Sequence, residues 1–182
     1  ELGKIGFETT TSYVYKVRTA MKKKKTTKPK GKSKIPKKAP SPKYPRHSLK
    51  KVLRVPQAIL DQNAGKECSV EDAAAFVGVK LAGPFQVEIR SAIKYGLLER
   101  PSSGRLRITE LAKMILRPTT QNDELKGLRT AVSNAPDISS VYSHYRGENL
   151  PDPKFFNNAL VENFGIPVEK VNEFSSIFHE TL

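Results

Sequence analysis

"AIKYGLLERPSSGRLRITELAKMILRP", residues 92–118, decides the fold. A helical stretch ends at Lys94, Tyr95 and Gly96, and a short strand runs from Leu97 to Arg100. Pro101, Ser102, Ser103 and Gly104 have the turn chemistry of a hairpin tip. In Arg105-Leu106-Arg107-Ile108 charged and apolar residues alternate, the two-residue period of a strand with one face turned inward. Thr109 is positioned to cap the next helix and Pro118 to end it.

Upstream, Ser48 caps a helix carrying Leu49, Val52, Leu53, Ile59 and Leu60 on one face, with Pro56 kinking it or marking where its regular part begins. "SVEDAAAFVG" predicts a short helix with Ser69 as N-cap, Asp72 at the capping-box position and Gly78 as its stop. "GPFQVEIRSAIKYG" predicts a third, with Pro84 in its first turn and Phe85, Ile89, Ala92 and Ile93 on its apolar face. Three helices followed by a hairpin resemble the winged helix, a helix-turn-helix variant with a β wing. The resemblance covers residues 48–118 and points to winged-helix domains of prokaryotic DNA-binding proteins, in particular a group of uncharacterised ones.

That resemblance implies a third helix that enters the major groove and a wing that touches the DNA backbone. Gln86, Arg90 and Lys94 recur every four residues on one side of this helix, and their side chains suit adenine edges, guanine edges and phosphate. Arg105 and Arg107 alternate with Leu106 and Ile108 and are expected to project from the wing strand. Glu88 departs from the pattern, since an acid facing DNA repels phosphate.

Residues 1–60 hold 18 Lys and Arg against two acids, and residues 61–182 hold 14 against 16, so the net charge of +14 belongs to one end. Residues 22–47, rich in Lys and Pro, bury too little apolar surface to offset their ordering entropy, and read as a disordered basic linker. A coil of that length spans roughly 30 Å. Before it, "GFETTTSYVYKVRTAMKKKK" (6–25) resembles the turn and last helix of a second helix-turn-helix module, so residues 1–21 read as a partial one. Val14, Val17 and Met21 then face inward, while Tyr15, Lys16, Arg18, Lys22, Lys23, Lys24 and Lys25 are candidate DNA contacts. The start at Glu1 and the end at Leu182, inside a helical stretch, are those expected of a piece of a longer chain.

Residues 119–182 read as a helical extension with helices near 121–134, 137–145, 153–164 and 167–182. Their apolar stripes are Leu125, Leu128 and Val132; Phe156, Ala159, Leu160 and Phe164; and Val168, Val171, Phe174, Ile177 and Phe178. The predicted fold class is thus mainly α with a small β-hairpin wing.

Enzyme chemistry finds no constellation. His47, His144 and His179 lack metal-ligand spacing, the single Cys68 reads as core filler, and no nucleophile elbow or phosphate-binding glycine loop occurs. No cofactor or metal is expected. The sequence predicts a DNA-binding protein, a transcription regulator or nucleoid-type factor, with the helix at 84–95 as reader and the basic arm as electrostatic clamp. The alternative is an interaction scaffold whose winged helix docks a protein while the arm holds nucleic acid nonspecifically. RNA is a further possible ligand, and 119–182 a surface for protein contact or self-association. With no membrane segment, the expected location is the cytoplasm at the nucleoid, or the nucleus in a eukaryotic host.

Overall fold

The computed structural model describes residues 43–182. The expected N-terminal helix, the candidate contacts Tyr15, Lys16, Arg18 and Lys22 to Lys25, and most of the basic linker lie outside the described residues.

Helix α1 (Leu49–Val52) and helix α2 (Arg54–Asn63) divide the first predicted helix at Leu53, with Pro56 in the opening turn of α2, where a missing N–H costs nothing. Helix α3 (Val70–Val77) starts on a complete capping box, Ser69 with Asp72, and stops at Gly78 in the left-handed conformation. Helix α4 (Gly83–Lys94) has its proline in the first turn. Strands β2 (Leu98–Glu99) and β3 (Arg105–Ile108) pair antiparallel, with Leu98 opposite Ile108 and Glu99 opposite Arg107. Leu106 and Ile108 are buried and Arg105 and Arg107 exposed, as the alternation requires.

The sheet has one strand more than the sequence indicated. Strand β1 (Cys68–Ser69) lies antiparallel on the other edge of β3, giving the order β1-β3-β2. Two residues are too short to show a period, and Ser69 already announced itself as a helix cap. Cys68 is buried in this strand, and burial pushes its thiol pKa up, which fits a packing role.

Thr109 caps helix α5 (Glu110–Leu116) by accepting from the Ala112 N–H. Helices α6 (Gln121–Ser133), α7 (Pro136–Tyr145) and α8 (Pro153–Glu162) follow; a 3-10 turn (Val168–Lys170) then leads into α9 (Val171–Thr181). Two apolar assignments change. Leu125 is exposed because α6 presents Gly127, Ala131 and Val132 inward, and Gly127 lies so close to Ile115 that a Cβ there would meet its side chain at 2.6 Å. Val168 is exposed because the 3-10 turn takes it off the stripe of α9.

The boundary at 118 separates no cores, since residues from Tyr44 to Phe178 share a single apolar cluster. Phe174 of α9 meets the Tyr44 ring edge-on at 5.1 Å, and the Thr181 and Tyr95 hydroxyls lie 3.2 Å apart. The linker boundary at residue 47 is corrected for the same reason: Tyr44 is 2% exposed and Tyr44 to His47 belong to the fold. Gly96, which ends α4 with φ of +75°, is held to glycine by its backbone and by Asn134 Nδ2, 2.5 Å from where a Cβ would sit. That amide donates to the Tyr95 carbonyl and so ties α6 to the end of α4.

Candidate nucleic-acid interface

Helix α4 is amphipathic in an uneven way. Phe85, Glu88, Ile89, Ser91 and Ala92 are buried, so the core claims more than half of its circumference. Only a narrow outward strip remains, with Arg90 exposed and Gln86, Val87, Ile93 and Lys94 half-buried. Among the described residues the Arg90 guanidinium has no hydrogen-bond or ion-pair partner, and the Gln86 amide has no hydrogen bond.

Glu88, anomalous in the sequence, is turned inward. Its two carboxylate oxygens accept from Arg54 Nε at 2.5 Å and Nη2 at 2.6 Å, a bidentate pair with Glu88 3% and Arg54 49% exposed. The acid therefore puts no unpaired negative charge on the outward strip.

Lys94 does not stand out toward a groove as the sequence suggested. Its ammonium donates to the Tyr44 carbonyl at 2.8 Å, and burial lowers its pKa. The spacing placed Lys94 on the correct side of α4, but the chain before α1 crosses there and takes the donor. Arg105 and Arg107 do project from β3, yet each meets an acid: Arg105 with Glu67 at 2.9 Å, and Arg107 with Glu99, its cross-strand neighbour, at 2.7 Å. Exposed pairs of this kind are worth about 0–1 kcal/mol, so a phosphate can compete for either arginine.

Sequence reasoning missed the segment immediately before α1. The Arg46 backbone N–H donates to Ser91 Oγ at 3.0 Å, its guanidinium pairs with Glu173 at 2.7 Å, and the His47 carbonyl accepts from the Tyr95 hydroxyl. Burial opposes ionisation of Glu173, yet hydrogen bonds from Arg46 and Lys170 hold its carboxyl below the usual value. Burial likewise pushes the Tyr44 and Tyr95 hydroxyls up to about 12, so both rings enter any chemistry at neutral pH as neutral groups. The proline content and charge of the segment concealed this order, and the long-range partners that fix it have no local signature.

Residues 43–182 hold 19 Lys and Arg against 16 acids, a net of +3, which leaves +11 for residues 1–42. The folded unit is therefore nearly neutral, and its positive charge matters by placement. A shallow trench of about 460 Å³ runs along α6 between Asn122 and Ser133, but a single helix lines it, so it offers a small molecule no opposing wall. Among the described residues no group of three His, Cys, Asp or Glu is arranged to hold a metal ion, and no helix is long and apolar enough to cross a membrane. No protein-family model, curated protein or solved structure matches this chain.

Proposed function

We propose that this chain binds duplex DNA, with residues 48–118 acting as a winged helix. In this reading α4 enters the major groove, the β2–β3 hairpin is the wing, and the lysine-rich segment before residue 43 supplies sequence-independent affinity. The observation that carries it is Arg90, exposed and without an ion-pair partner among the described residues at the middle of the outward strip of α4, while Glu88 two residues earlier faces inward and is neutralised. A guanidinium there can take both acceptors of a guanine edge, and Gln86 one turn earlier can take an adenine. The antiparallel β2–β3 hairpin that follows α4, with β1 on the other edge of β3, supports the same reading. The role is that of a transcription regulator or nucleoid-type factor, and the acidic C-terminal helices serve protein contact or self-association. Its place of action is the nucleoid, or the nucleus of a eukaryotic host.

A second reading is favoured by the wing, where Glu67 and Glu99 already neutralise Arg105 and Arg107. In it the folded unit docks a protein and the lysine-rich segment alone holds nucleic acid. Deleting residues 22–42 separates the two, and the deletion must stop at 42 because Tyr44 belongs to the core. On the DNA-binding reading, equilibrium titration of the shortened chain against duplex DNA at low salt gives weaker binding with a shallower salt dependence that still distinguishes sequences. Complete loss of binding selects the scaffold.

A further inference from the structure

Residues 43–54, "KYPRHSLKKVLR", carry five bases and no acid. All five bases are exposed, whereas Tyr44, Leu49 and Val52 are buried. The inner side of the segment is pinned to α4, or to Tyr95 immediately after it, at four points. Tyr44 O accepts from Lys94, the Arg46 N–H donates to Ser91, His47 O accepts from Tyr95, and Arg54 grips Glu88. Residues 44–47 meet the 91–95 end and Arg54 meets Glu88, so the segment as a whole runs antiparallel along the flank of α4 for about 9 Å of its axis. The segment therefore lies along the side of α4 that carries Glu88 and Ser91, which adjoins the outward strip at Val87 and Lys94.

These bases divide into two kinds. Arg46 and Arg54 are held by Glu173 and Glu88, while Lys43, Lys50 and Lys51 have no hydrogen-bond or ion-pair partner among the described residues. We propose that Lys43, Lys50 and Lys51 form a phosphate-binding rail, which grips the backbone of the same DNA duplex whose major groove α4 enters. The rail rests on the DNA-binding reading above and adds to it a second contact surface of the folded unit. An ammonium on a flexible stem meets phosphate as a point charge and carries no base preference, so the rail supplies affinity and orientation while Arg90 discriminates. The ligand is a duplex because the rings along this flank, Tyr44, Phe85 and Tyr95, are all buried and leave no platform on which single-stranded bases stack. It is DNA because the deep, narrow major groove of an RNA duplex does not admit a helix.

The test uses the full chain carrying Lys43→Gln, Lys50→Gln and Lys51→Gln together, with Lys126→Gln, Arg129→Gln and Lys154→Gln on α6 and α8 as a charge-matched control. Each protein is titrated against a fluorescent DNA duplex over a salt series, after thermal melting has shown that all are folded. The expected result is a log–log salt slope shallower by about 0.9 for each phosphate that the variant no longer neutralises, up to about 2.7 for all three. The control keeps the wild-type slope, and the rail variant keeps the wild-type ratio between preferred and random sequences. Equal slopes in wild type and rail variant, or equal reductions in rail variant and control, overturn the rail while leaving Arg90-dependent binding intact. Tighter binding of single-stranded DNA or duplex RNA than of duplex DNA also overturns it. Absence of duplex binding by the unmodified protein at low salt overturns both the rail and the reading beneath it.

Discussion

Phe174→Ala is expected to lower the stability of the folded unit by about 4 kcal/mol, the usual cost of replacing a fully buried phenylalanine with alanine. Phe174 is 0% exposed, stands edge-on to Tyr44 at 5.1 Å, and is stacked on Phe178 at 6.3 Å. The substitution removes apolar area and leaves a cavity between α9 and the segment before α1, where neither wall can collapse freely. Tyr44 is held at its backbone by Lys94, and α9 is held at its far end by hydrogen bonds of Thr181 with Tyr95 and Leu49. A fall in melting temperature of roughly 10–15 °C follows for a unit of this size, with a matching shift of the urea midpoint. A loss under 1 kcal/mol in urea titration would show that α9 is not part of the shared core.

Arg54→Ala is expected to cost about 2–3 kcal/mol, although it removes a half-exposed side chain. The cost arises at Glu88, which is 3% exposed and has both oxygens on Arg54, so truncation leaves a buried carboxylate with no partner. Half-exposure of Arg54 puts the figure below the 3–5 kcal/mol typical of a fully buried pair. Arg107→Ala is the internal comparison: Arg107 and Glu99 are each about half exposed, and its loss changes stability by at most about 0.5 kcal/mol. Adding Glu88→Met to Arg54→Ala returns most of the loss, because the buried charge is then absent. Equal effects of Arg54→Ala and Arg107→Ala in chemical denaturation would contradict the inward placement of Glu88.

The elements legible in the sequence are those fixed by neighbours within about four residues. Ser69 with Asp72, Gly78, Pro84 and Thr109 each satisfy or spare backbone donors locally, and all act where the sequence indicated. The alternation in 105–108 fixed which side of β3 is buried. Features made by distant partners were hidden. The order of residues 43–47 depends on Ser91 and Glu173, which are 45 and 127 residues from Arg46. Strand β1 exists only as a partner of Leu106 and Arg105. On the candidate site, helical spacing sufficed to align Gln86 with Arg90, but it could not show that Lys94 is tied to Tyr44 or that Arg54 holds Glu88 inward.

The same long-range interactions tie stability to the candidate interface. Lys94, Ser91, Tyr95 and Glu88 of the α4 region hold the basic segment 43–54, and α9 backs it through Phe174 and Glu173. The lysine-rich residues before 43 carry most of the net charge; in the proposed DNA-binding reading they supply sequence-independent affinity, and discrimination falls to the strip around Arg90.

Selection of bound duplexes from a random-sequence DNA library, by the full chain and by its Arg90→Ala variant at one fixed salt concentration, tests that division most directly. The expected result is an enriched motif for the unmodified protein and a loss of preference at one guanine position for the variant, with about tenfold weaker discrimination there. Recovery of random sequence by both proteins, or of the same motif at the same strength by both, would contradict the assignment of α4 as the reading helix.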